Sequence, residues 1–389
     1  MSPSTTPRIR SLDGLRGLAA LVVVFDHVLL VNADLASPLL DPPRYPAFGT
    51  AAWWATETPA HLLWAGSEAV FVFFVLSGLV LTLPHLRHRR ITEVDWVQYY
   101  PRRIVRLYVP VVAAILLAVP LMLAFGQAVI HGASWWRPPD HFDLGLGSVL
   151  EESTLLGDPG HVITALWSLK WEVVFSLLLP LFLLGARPAR RHHFAAVVAL
   201  LVAMLAGTAA GWAWLVYLPI FGLGVVLATR AEAIEERCRR IRPWQWAVLS
   251  VVSVACLLNK WLIAGVPGLT GVSSRGHFPQ YSVIPASVGA LLAVVIAWQW
   301  VPFARWLDSG PVHWLGERSY SLYLVHVPLV VVVADRFGGW NGWSVPIVVV
   351  ASLVAAHLFH RFVELPSIRW SRSVGRWATT RLRPSGATA

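Results

Sequence analysis

The run Leu12-Asp13-Gly14-Leu15-Arg16-Gly17-Leu18-Ala19-Ala20-Leu21-Val22-Val23-Val24-Phe25-Asp26-His27-Val28-Leu29-Leu30 decides the fold class. It is apolar enough to cross a bilayer, which takes ~20 mostly apolar residues, yet Asp13, Arg16, Asp26 and His27 interrupt it. Arg8 and Arg10 before it and the small residues from Ala33 to Ser37 after it imitate a secretory signal. The apolar core of a cleaved signal carries no such interruptions. The run is therefore expected to be retained as a first membrane span, near 14–34.

Similar runs follow near 62–83, 104–125, 164–185, 194–211, 212–229, 244–264, 282–302, 318–337 and 342–362. The fifth and sixth abut at Gly211-Trp212 with almost no loop. Hydrophobic residues make up 56% of the 389, charged residues 13%, and mean hydropathy is +0.61, a composition suited to lipid rather than to a soluble domain. The expectation is an all-α, polytopic membrane helix bundle of about ten transmembrane helices, occupying 8–366, with 367–389 as a basic cytoplasmic tail. No segment between spans is long enough for a second core, and no internal repeat is present.

A formal net charge of +10 raises the question of nucleic acid, and the distribution of the charge answers it. With both termini inside, 25 of the 31 basic residues fall on the cytoplasmic side and five outside, with Lys170 inside a span. That is the positive-inside pattern, so the charge reports topology and no nucleic-acid partner is expected. The inner, or plasma, membrane is the expected location. Cys238 and Cys256 are the only cysteines, too few for a disulfide framework or a metal cluster. No Gly-rich phosphate loop, HExxH site or GxSxG elbow occurs.

Ionisable residues within spans are costly and mark functional positions by default; here they are Arg16, Asp26, His27, Glu68, Lys170, Glu172, His326 and His357. Arg16 and His27 are eleven residues apart, so at about 100° per residue they lie within about 20° of one helix face, separated by about 16 Å of rise. One face thereby carries a cation near the membrane edge and an imidazole deeper in. A snorkelling arginine and a hydrogen-bonded core histidine give the same pattern. Asp26 is adjacent to His27, but consecutive helix residues do not face each other, which favours a carboxylate from elsewhere: Glu68, Glu172 or Glu364. Lys170 and Glu172, two apart, are expected to serve separate sites. Arg103 and Arg106 share a helix face, and guanidinium groups grip phosphate bidentately; interfacial arginines also meet lipid phosphates. Trp53-Trp54 and Trp135-Trp136 read as an aromatic belt, and Ser134-Trp135-Trp136-Arg137-Pro138 as a candidate lid over an acceptor.

Six of these segments in order resemble the acyltransferase-3 family of integral-membrane O-acyltransferases. They are Leu12 to His27 with its arginine, ten residues, histidine; Phe73-Phe74-Val75-Leu76-Ser77-Gly78; Arg103-Ile104-Val105-Arg106; Trp167-Ser168-Leu169-Lys170-Trp171-Glu172; Ser319-Tyr320-Ser321-Leu322-Tyr323-Leu324-Val325-His326; and Glu364-Leu365-Pro366. The resemblance implies a ten-helix bundle with no bound cofactor, acyl-CoA (in the first instance acetyl-CoA) as donor, and a hydroxyl acceptor on a carbohydrate, glycolipid or glycosylated natural product. It implies His27 as general base, Glu172 or, second to it, Glu68 as its orienting carboxylate, and Tyr320 or Tyr323 as donor to an oxyanion. Arg16, Arg103 and Arg106 would hold the donor, and Ser77, Trp167 and His326 would contact substrate, although Ser77-Gly78 also suits close helix approach. Two residues depart from the family pattern: Asp26, where the family has an apolar or aromatic residue, and Lys170, where it commonly has a small one. Some relatives carry an added extracytoplasmic esterase-like domain; this chain, ending some 20 residues past its last motif, is expected to complete the transfer alone. The competing class is a lipid or glycolipid transporter without chemistry, against which no inverted repeat is found.

Overall fold

Apolar runs of this length, with no water to satisfy their backbone, form helices, and among the described residues of the computed structural model there are helices and no strands. The structure describes residues 9–39, 44–87, 91–125, 144–157, 159–266, 281–337 and 340–382. The principal helices are α1 (Arg10–Leu29), α2 (Gly66–Thr82), α3 (Trp96–Phe125), α4 (Leu146–Thr154), α5 (Leu166–Arg191), α6 (His193–Ala210), α7 (Ala213–Thr229) and α8 (Pro243–Leu257). After them come α9 (Asn259–Ala264), α10 (Val283–Gln299), α11 (Val301–Leu307), α12 (Gly310–Glu317), α13 (Ser319–Arg336), α14 (Ser344–Phe359) and α15 (Leu365–Leu382).

Each of the ten expected spans falls on a helix, but fewer than ten qualify as crossings. Among the described residues five helices are long and apolar enough, Gly66–Leu86, Trp96–Phe125, Leu166–Arg191, His193–Ala210 and Ser344–Arg381, and three bent pairs, each taken as one span, raise the number to eight. Two of the expected spans fall outside this set for local reasons: Pro243–Leu257 has 15 residues, and Ser319–Arg336 is diluted by Ser319, Tyr320, Ser321, Tyr323 and His326 at one end and Asp335 and Arg336 at the other. The chain is a multi-pass membrane protein with five to eight candidate spans among its described residues, by length and composition. The join at Gly211-Trp212 works because Gly211 adopts φ +70°, the left-handed cap that glycine favours, while the Trp212 N–H bonds to Gly207 O at 2.8 Å. That closes α6 and starts α7 with no further loop.

The described residues divide into two compact units, those within 9–87 and 181–319, and those within 91–125, 144–180 and 320–382. In the first unit α1 packs on α12, α2 and α10, and α2 packs on α7. Glycines set these contacts: a Cβ on Gly17 would collide with Gly316, and one on Gly78 with Phe221 O. Small residues that let backbones touch are what holds helices together in lipid, where burial of apolar surface drives nothing. Ser77 lies beside this seam on α2, as its neighbour Gly78 requires.

In the second unit α15 packs along α3. Residues 367–382, expected as a tail, therefore continue the helix that follows a π turn at His360–Glu364 and bury Ser371, Gly375 and Ala378. The segment before α5 is pinned by Glu152, fully buried, whose carboxylate accepts the N–H groups of Gly160 at 3.2 Å, Val162 at 2.7 Å and Ile163 at 2.7 Å. Burial pushes the Glu152 carboxyl above its ordinary range, and the three N–H bonds work in the opposite direction.

Candidate active site

The first group of functional side chains belongs to the first unit. α1 runs unbroken through Arg16 and His27, which places both on the face that their spacing requires. Arg16 Nη1 donates to Asp13 Oδ1 at 2.9 Å, so the cation is steadied by a carboxylate one turn earlier. His27 Nδ1 lies 2.8 Å from Val23 O. A carbonyl only accepts, so Nδ1 carries the proton and the lone pair sits on Nε2. The imidazole is thereby held in the tautomer that a base at Nε2 needs.

Asp26 comes closer to His27 than helical phase suggests: its Oδ2 stands 3.8 Å from His27 Nδ1, beyond hydrogen-bond length. The cause is the start of α2, where the Gly66 N–H bonds to the Asp26 carboxylate and a Cβ on Gly66 would overlap it. Glu68, one turn into α2, accepts the Trp261 indole N–H at 3.1 Å. Lys260 lies 4.8 Å from the centre of the Trp261 ring and attracts the Glu68 carboxylate, while Asp26 and Glu68 repel each other. Asp26, the neighbour of His27, thus lies within electrostatic reach of Glu68, one of the carboxylates that the sequence offered as a partner for His27. Behind them His61 packs between Trp64 and Trp261, with ring centroids 4.3 and 4.1 Å away. Burial, with the Lys260 charge adding to it, lowers the His61 pKa to about 3, and burial raises Glu57 to about 7. Trp261 and Lys260 escaped sequence reasoning as partners of Glu68 because 193 residues separate Trp261 from it.

The second group belongs to the second unit. Arg103 on α3 is bound to Glu172 on α5 and donates through Nε to Ser176 Oγ at 2.9 Å. Tyr99 and Tyr100 donate to Ser176 O and Leu177 O at 3.3 and 3.0 Å, extending the same seam. The two residues expected to grip a donor and to orient His27 are therefore each other's partners. Lys170 donates instead to Gly157 O, which bears out the separation of Lys170 from Glu172.

Tyr320 gives its proton to Leu107 O at 2.9 Å, so it ties α13 to α3. Tyr323 bonds to Ala165 O at 3.0 Å and to Ser168 Oγ at 2.6 Å, so it ties α13 to the start of α5 beside Trp167. His326, fully buried, donates Nδ1–H to Leu322 O at 3.1 Å, the same arrangement that fixes His27. Glu364 accepts from Ser321 Oγ at 2.5 Å and His360 Nδ1 at 2.9 Å. Ser134 to Pro138, the expected lid, lies outside the described residues.

Comparison with known proteins gives the site its context. A family model described as an acyltransferase domain matches residues 9–361. The chain is 28% identical to the acyltransferase MdmB of Streptomyces mycarofaciens, over 99% of this chain and 97% of that protein. It is 24% identical to the acyltransferase R4 of a Phoma species, over 94% of each. It is also 24% identical to the peptidoglycan O-acetyltransferase OatA of Listeria monocytogenes, over 92% of this chain and 55% of that protein. No solved structure matches. These relatives are named as transferases, which sets the transporter alternative aside.

Proposed function

We propose, from the premise that this chain belongs to the acyltransferase-domain family and is an O-acyltransferase, that it moves an acyl group from acyl-CoA to a hydroxyl of a carbohydrate, glycolipid or glycosylated natural product. His27 is the general base. The observation that carries this reading is the bond from His27 Nδ1 to Val23 O, which leaves Nε2 as the basic atom on the same helix face as Arg16.

The chemistry then balances on one imidazole. His27 Nε2 takes the acceptor hydroxyl proton as the oxygen attacks the thioester carbonyl; the new C–O bond forms, the C–S bond breaks, and the proton passes to the departing thiolate. A base positioned this way contributes about 10²- to 10⁴-fold. Arg16, steadied by Asp13, offers a cation toward the anionic part of the donor. Arg103, which is engaged with Glu172 and Ser176, and Arg106 are the further donor contacts that the resemblance implies. Tyr320 and Tyr323, with protons given to helix carbonyls, act as ties; the oxyanion role inferred from resemblance requires either bond to open. Ser77, Trp167 and His326 are substrate contacts in the same reading, as the resemblance implies.

The test is to incubate the purified protein in nanodiscs with acetyl-CoA and candidate glycosylated acceptors, following free thiol and acceptor mass together. Thiol release matched by an acetyl increment on the acceptor supports the reading. Acceptor acetylation without any consumption of acetyl-CoA overturns the donor.

A further inference from the structure

The contact between α3 and α15 brings together like charges. Gly375 makes the approach close: a Cβ there would lie 3.2 Å from Gln98 O and 3.4 Å from the Arg102 Cβ. Arg102 is thereby set against α15, where its guanidinium and that of Arg372 are near enough to repel. Both residues are exposed. Among the described residues, neither has a hydrogen-bonding or ion-pairing partner. This differs from Arg103, one residue on, which is neutralised by Glu172.

The charge on α15 is also ordered. Arg369, Arg372 and Arg376 stand at i, i+3 and i+7, so at about 100° per residue they form one stripe beside the buried face of Ser371, Gly375 and Ala378. All three are exposed. Two helices tied at a glycine thus hold a pair of guanidinium groups together against their repulsion, with further cations one turn away on either side. Arginines converging from different elements offer planar donors that match phosphate oxygens, and an anion between them relieves the repulsion.

We propose that Arg102 and Arg372, flanked by Arg369 and Arg376, form a phosphate-binding site. A phosphate of a nucleotide such as the donor's adenosine end and the phosphate of a lipid headgroup share this chemistry. Only the nucleotide source rests on the donor reading given under Proposed function.

The test reads binding and not turnover, so failure of the acyl-CoA assignment leaves it intact. Full-length protein in zwitterionic nanodiscs is titrated with adenosine 3′,5′-bisphosphate, and separately its thermal midpoint is compared in nanodiscs with and without phosphatidic acid. Wild type is expected to respond to at least one probe. Arg102→Gln and Arg372→Gln should each weaken that response about tenfold or more, as loss of a charged hydrogen bond does, and Arg239→Gln should not. Arg372→Glu, which sets a carboxylate beside Arg102, should raise the ligand-free midpoint and abolish the response, so a merely misfolded variant is told apart from an emptied site. A response to the bisphosphate assigns the site to a nucleotide, and a response to phosphatidic acid alone assigns it to lipid. No response in wild type to either probe, or an undiminished response in the Arg102→Gln/Arg372→Gln protein, overturns the site.

Discussion

Arg103 and Glu172 pair across α3 and α5 with their side chains each 13% exposed, and the same guanidinium bonds to Ser176. Removing one member of so dehydrated a pair strands the other charge, which typically costs about 3–5 kcal/mol, whereas replacing both by apolar groups is close to neutral. Glu172→Ala and Arg103→Ala should each lower thermal stability by that order, and Arg103→Met/Glu172→Leu should recover most of it. Thermal unfolding of the four proteins in one detergent reads the coupling. Additive single effects would mean that the pair carries no interaction of its own.

Tyr320 spends its hydroxyl proton on Leu107 O at 2.9 Å. Tyr320→Phe deletes that bond and leaves the ring, so stability should fall by about 1 kcal/mol while the turnover number stays within a few-fold of wild type. The decisive comparison is of kcat with thermal midpoint for the one variant. A loss of kcat near 100-fold at unchanged midpoint would restore the oxyanion role.

His61 has a pKa of about 3 in the folded chain, against 6.5 for an unburied histidine. Between those values the unfolded chain takes a proton that the folded chain refuses. The contribution is therefore complete above pH 6.5 and is lost as pH falls toward 3, with a slope of at most about 1.4 kcal/mol per pH unit. His61→Phe keeps the ring between Trp64 and Trp261 and cannot titrate. Midpoints from pH 7 to pH 4 should fall less steeply for His61→Phe than for wild type, and parallel curves would contradict this source of acid lability.

Much of this was readable from residues alone because helical phase is local: the eleven-residue step from Arg16 to His27 fixes a shared face wherever the helix is continuous, and α1 is. The span count was less readable, since hydropathy cannot register the 111° bend between Arg10–Leu29 and Ala33–Leu39 or the 87° bend between Val283–Gln299 and Val301–Leu307. Residues 367–382 looked like a tail because arginines dominate, while the stripe of Ser371, Gly375 and Ala378 that docks them on α3 is small and barely apolar. Partners were the least readable. Glu172 stands 69 residues from Arg103, and the start of α2 that draws Asp26 aside is 40 residues along the chain; such contacts follow from packing and leave no periodicity to read.

The central claim is that His27 Nε2 removes the acceptor proton, and the measurement that bears on it most directly is the acetyl-transfer rate of purified His27→Ala and His27→Gln at saturating acetyl-CoA. With thermal midpoints close to wild type, the rate should fall about 10²- to 10⁴-fold while the KM for acetyl-CoA changes little. Transfer at the wild-type rate by either well-folded variant would contradict the account.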